Sequence, residues 1–237
     1  MTATGGEALF FNYRLNLAGG VRKDFLIRLD PKTCQLIQTP PDPLPDWTRL
    51  ECQQCPNCPL STKTSPHCPV AVGLTGVIDA MKDILSYTQC DVTVETNERT
   101  YSASMPVANA ASSIIGIHMA TSGCPILDKL RPMARFHLPF SSLEETLFRA
   151  LSTYLLAQYF LQKQQRQPDW ELKGLARIYE EIGKVNSAFS RRLREIRLED
   201  AALNAITRLD CFGLSVNFII NDQRIADIES PFQVYFT

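Results

Sequence analysis

Eight prolines fall between residues 39 and 69: Pro40, Pro41, Pro43, Pro45, Pro56, Pro59, Pro66 and Pro69. Proline fixes φ and lacks an N–H, so this stretch can extend neither a helix nor a strand ladder. A loop of roughly thirty residues inside a compact domain is uncommon and needs something to order it. The same stretch carries Cys52-Gln-Gln-Cys55-Pro-Asn-Cys58, then nine residues, then Cys68. Two residues between cysteines let both sulfurs face one centre, a spacing used by structural zinc sites and by iron–sulfur proteins.

The chain has eight cysteines, more than one four-ligand site can use. Proline sorts them. Cys55, Cys58, Cys68 and Cys124 are each followed directly by proline, whereas Cys34, Cys52, Cys90 and Cys211 are not. At ordinary proline frequency, four such pairs among eight cysteines arise by chance in about one chain in a thousand. Proline after a ligand stiffens the loop and removes an N–H that would need a partner. The pattern predicts one metal centre held by Cys55, Cys58, Cys68 and Cys124. Gly123, before Cys124, allows close backbone approach. Cys52 and His67 are the reserve ligands, since Cys52 extends the run and His67 adjoins Cys68. Cys34, Cys90 and Cys211 read as buried small hydrophobes.

Two identities for the centre stay open. Cysteine followed by proline is a feature of ferredoxin-type runs, which points to a [4Fe–4S] cluster. Four thiolates equally suit zinc. The expected function follows from the choice: electron transfer or redox sensing for the cluster, a zinc-stabilised adaptor or protein-interaction module without catalysis for zinc. A Lewis-acid enzyme ranks last, because four thiolates leave no open coordination position.

Composition narrows the setting. Net charge is −1, from 24 basic and 25 acidic residues, so bulk charge gives no reason to expect nucleic acid as a partner. Met1 to Glu7 lack the basic start and apolar run of an export signal. Uninterrupted apolar runs fall far short of the roughly 18 residues that suggest a membrane helix. These features predict a cytoplasmic protein, where grouped cysteines bind metal or do redox chemistry more often than they pair.

Periodicity predicts an α+β fold. Residues 9–29 read as a hairpin, with Phe11, Tyr13, Leu15 and Leu17, then Phe25, Ile27 and Leu29, alternating about Gly19-Gly20. A helix is expected at about 75–87, and a second hairpin through Val92 and Val94 to Tyr101–Met105, turning at Asn97-Glu98. That hairpin layer with its helix, residues 1–106, contains the Cys/Pro-rich loop of residues 39–70. The loop joins it to a helical region at 107–237. Helices are expected there over 108–120, after Ser142 with capping-box partner Glu145, along the stripe Leu172 to Ile196, and over 199–214. Short extended ends follow at Val216–Ile220 and Val234–Phe236.

Other chemistry is thin. The three histidines, His67, His118 and His137, suggest no nucleophilic triad, and His118 reads as a hydrogen-bonded core residue. Lys129 to His137 forms a basic segment that could present a surface to a partner protein. Arg191-Arg192-Leu193-Arg194 reads as an exposed helix face. No phosphate-binding glycine loop occurs.

The segments Cys55-Pro-Asn-Cys58-Pro-Leu, His67-Cys68-Pro-Val and Ser122-Gly-Cys124-Pro through Leu130-Arg-Pro-Met-Ala-Arg-Phe-His-Leu-Pro-Phe140 resemble a family of uncharacterised bacterial proteins. The resemblance covers most of the chain. It implies a bacterial source and a cytoplasmic location, and it brings no activity with it.

Overall fold

A computed structural model describes residues 7–196, 199–221, 225 and 228–236 of the 237-residue chain; most of the polar start at Met1 to Glu7 lies outside them. Alternation builds the first hairpin as expected: β1 (Leu9–Leu17) pairs antiparallel with β2 (Arg22–Leu29), Tyr13 opposite Phe25. Gly19 and Gly20 both take φ +77°, which a Cβ would disfavour. Next come a two-residue edge strand β3 (Leu36–Ile37), helix α1 (Pro69–Met81), and the second hairpin, β4 (Gln89–Thr96) and β5 (Thr100–Pro106). The strands form one antiparallel sheet in the order β3-β2-β1-β4-β5. Its inward face places Tyr13 opposite Val94 and Leu15 opposite Val92, all fully buried or nearly so.

Helices follow: α2 (Val107–Thr121), α3 (Arg131–Ala134), α4 (Leu143–Lys163), α5 (Lys173–Arg194) and α6 (Ala201–Asn221). α2 packs on β2 and β4 and against α1 and α6. Its Ile114 and Ile115 are fully buried, and each such side chain contributes about 1.5–3 kcal/mol by leaving water. α4 starts at the capping box: Ser142 Oγ accepts from Glu145 N at 3.1 Å, and Glu145 Oε2 accepts from Ser142 N at 2.7 Å. The fold is therefore α+β, with one core drawing on sheet and helices.

Three expectations shift. α1 begins at Pro69, six residues early, because a proline in the first helical turn gives up an N–H that has no partner there anyway. Val216–Ile220 is helix, not an extended end: Val216 and Ile220 lie four apart and are both buried on one face of α6. Ser230–Tyr235 is a 3-10 helix where the second extended end was expected. The apolar runs in α6 are interrupted by Arg208 and Asp210. Even so, Ala201–Ile220 has the length and mean hydropathy (1.2) of a membrane span, with 28% of that window buried. It packs on α2 and α5, with Leu209 over Gly116 and Gly213 against Tyr179.

Candidate metal centre

The Cys/Pro-rich loop folds back on itself. Leu50 N donates to Pro66 O (2.9 Å) and Cys68 N to Thr48 O (2.8 Å), pairing Arg49 with His67 in a two-rung bridge. Thr48, fully buried, adds a hydrogen bond from Oγ1 to Pro45 O and one with His67 Nδ1 at 2.7 Å. The bridge closes off residues 51–65, and Cys55 and Cys58 sit on that excursion, with Cys58 N donating to Cys55 O at 3.0 Å. Cys68 follows the bridge as the residue preceding α1. Cys124 comes from the far side of the fold. Gly123 reverses the chain after α2 with φ +84°, and Asp128 N then donates to Cys124 O at 2.9 Å.

These routes bring the four Cys-Pro cysteines together. Cys55, Cys58, Cys68 and Cys124 line one small cavity of about 20 Å³, walled by Leu50, Val70, Ile126, Val185 and Phe189. Cys52 does not line it. His67 faces a separate cleft among Pro40, Pro41 and Pro43. Among the described residues, no group of three or more His, Cys, Asp or Glu side chains is spaced to hold a metal ion. All eight cysteines are free.

Electrostatics mark the cavity further. Burial pushes the Cys55 thiol up to about 12; neighbouring Cys68, Cys124 and Cys58 push the same way, and Arg192 pulls against them. Cys124 is also raised by burial, and the N–H groups of Leu127 and Ile126 oppose the shift. Arg192 lines the cavity and is only 2% exposed. Its guanidinium donates to three carbonyls of the loop: Trp47 O at 2.8 Å, Arg49 O at 2.6 Å and Leu50 O at 3.2 Å. Among the described residues it makes no ion pair. A second tether runs from Asn57 Nδ2 to Glu181 O and Oε2, at 3.0 and 2.7 Å.

Arg192 corrects the reading of residues 191–194 as an exposed face. Arg191 and Arg194 are exposed, but Arg192 and Leu193 are buried. The signal was present: Ile182, Val185, Phe189 and Arg192 recur at three- and four-residue steps along the buried stripe of α5. Of the cysteines read as buried hydrophobes, Cys34 and Cys90 are buried, with Cys90 Sγ donating to Met105 O at 3.4 Å, whereas Cys211 is exposed. His118 is a core residue, its Nδ1 bonded to Ile114 O at 2.8 Å. In the basic segment, Lys129 and Arg135 face out, but His137 turns in to meet Tyr13 Oη at 2.5 Å.

Fold and site define a class: an α+β protein in which three thiols of the loop between β3 and α1 meet a fourth from beyond α2 at a cavity lined by a buried arginine. The chain belongs to the family described as a domain of unknown function, DUF6901, whose model matches residues 11–233. No curated protein and no solved structure matches it.

Proposed function

We propose that this is a cytoplasmic bacterial metal-centre protein, with Cys55, Cys58, Cys68 and Cys124 as thiolate ligands of a [4Fe–4S] cluster used for electron transfer or redox sensing. The observation that carries the reading is the convergence of the four Cys-Pro cysteines, from three separate stretches of chain, on one apolar cavity beside Arg192. A buried cation without a carboxylate is costly unless something anionic compensates it, and bound thiolates would supply that charge. A cluster held this way supplies one-electron chemistry at a potential set by burial and by hydrogen bonds to its sulfurs. The residues divide the remaining work. Leu50, Val185 and Phe189 keep water out, Arg192 balances charge, and the bridge at Arg49 and His67 fixes the loop ends. Free thiols throughout suit a reducing compartment.

The zinc-stabilised adaptor is the second reading, and the size of the cavity favours it. About 20 Å³ is the room of one small body, less than a four-iron cube needs. Against it, zinc draws thiolates to about 2.3 Å from one point, and among the described residues no three candidate ligands are spaced for a single ion. Loading with a cluster therefore requires the Cys55–Cys58 excursion to give. In either reading, the exposed Lys129 and Arg135, in the segment that follows Cys124, are the surface offered to a protein partner.

Anaerobic purification, a visible spectrum, and iron and zinc analysis decide between them. About four irons per chain with a broad absorbance near 400 nm supports the cluster. One zinc in a colourless protein moves the conclusion to the adaptor, and folded protein with neither metal sinks both. Cys55→Ser and Cys124→Ser are expected to abolish metal content, while Cys52→Ser and His67→Ala leave it unchanged.

A further inference from the structure

A second, larger cleft lies between α2, α3, α4, α5 and α6, with a volume of about 240 Å³. Its walls are mainly apolar, including Ile117, Leu130, Met133, Tyr179, Leu209 and Phe212. Its charged lining is one-sided among the described residues: Arg149 and Arg208 contribute, and no aspartate or glutamate does. Arg149, half-buried on α4, donates from Nη2 to Met133 O at 3.0 Å and makes no ion pair among the described residues. The nearest acid on its own helix, Glu145, is committed to the capping box. Beside Arg149 the lining turns polar, with Ser113 and His137, whose Nε2 meets Ser113 Oγ at 3.3 Å and the Tyr13 hydroxyl at 2.5 Å. Burial first, and Arg149 second, hold His137 down to about 3, so it is neutral and can accept or donate a hydrogen bond.

An apolar cleft with a few convergent polar groups is the usual form of a small-molecule site. A partly buried guanidinium with one carbonyl for a partner and no ion pair among the described residues is unfinished, because burial disfavours its charge and the through-space attraction of Glu145 offsets that cost only in part. We propose that this cleft binds a small apolar carboxylate, its acid group paired with Arg149 and its hydrocarbon part lying against Ile117, Tyr179, Leu209 and Phe212. Scaled from a cavity of about 150 Å³ that holds one benzene, the volume takes roughly ten non-hydrogen atoms. Guanidinium and carboxylate match as a two-pronged hydrogen-bonded pair, which makes arginine the fitting anchor. The proposal rests on none of the cysteines, so it stands or falls independently of the metal centre.

Titration calorimetry of the full chain with octanoate and with 1-octanol tests it, since the two probes share a hydrocarbon chain and differ in charge. Octanoate is expected to bind, and octanol at least about tenfold more weakly, the loss expected for a charged hydrogen bond. Arg149→Met should remove that discrimination, and Arg149→Lys should restore part of it. Gly213→Leu, which projects a side chain from α6 into the cleft, should abolish binding of both probes while the protein keeps its melting temperature to within a few degrees. Equal binding of the two probes, octanoate binding that survives Gly213→Leu, or no octanoate binding to the native chain would each overturn the proposal.

Discussion

Two arginines sit at the two buried sides of the helical region, and the fold treats them differently. At the cysteine cavity, Arg192 of α5 is almost fully buried, and three backbone carbonyls of the loop receive its guanidinium. At the larger cleft, Arg149 of α4 has one carbonyl and open space. Arg192 is thus a structural tie as well as a source of charge: it holds a loop with almost no ladder of its own to a long helix. Arg149 holds little, and its charge is directed at whatever enters the cleft. A third group takes the remaining course. Burial pushes His118 in α2 down to about 4, and it gives up its charge altogether. Buried charge is thus tied down, left for a ligand, or discharged.

Arg192→Met should break the comparison hardest. It strands three inward carbonyls and frees the loop, so a loss of about 3–5 kcal/mol is expected by urea denaturation, as for other severed buried polar networks. If the loss is below about 1 kcal/mol, Arg192 is no tie.

The discharged group predicts a pH dependence. Between the ordinary histidine value of 6.5 and about 4, the unfolded chain binds a proton that folded His118 refuses. Stability is therefore full above pH 6.5 and falls as pH drops toward 4, by up to about 3 kcal/mol from this residue. His137 acts with the same sign. His118→Gln should flatten the slope of unfolding free energy against pH over that window; an unchanged slope places the proton uptake elsewhere.

Smaller effects sharpen the contrast around Arg149. Ser142→Ala removes the hydroxyl that accepts from Glu145 N and should cost about 1 kcal/mol. The backbone N–H of residue 142 that holds Glu145 Oε2 survives this change, so a double-mutant cycle between Ser142→Ala and Arg149→Met should show little coupling. Arg149→Met alone should cost the ligand-free protein less than about 1 kcal/mol, because it removes a partly buried, only partly compensated charge along with one hydrogen bond. A loss as large as that for Arg192→Met would make the two arginines equivalent and erase the distinction.

Local pattern made much of the fold legible. Period-two alternation located both hairpins, because one face is buried in β1, β2 and β4 and half-buried in β5, and the register cannot slip without exposing it. Ser142 and Glu145 marked the start of α4 because the capping box is a local motif. Pro69 misled, because the same residue that keeps a loop from extending a ladder also begins a helix. Val216–Ile220 misled because β-branched residues suit a strand until the face they share is considered.

The sequence by itself singled out four of the eight cysteines, since Cys-Pro dipeptides are written in the chain and need no fold to be seen. It also determined that residues 39–69 hold little regular structure, because proline forbids it. Tertiary structure alone decided that those cysteines meet at one cavity, that Arg192 is their neighbour, and that Arg149 faces a cleft with no acid among its described lining residues. Those facts depend on contacts such as Arg192 with Trp47, 145 residues apart. No local rule of spacing carries that information: a charge in a helix looks the same in sequence whether it meets water, a carbonyl or an empty cleft.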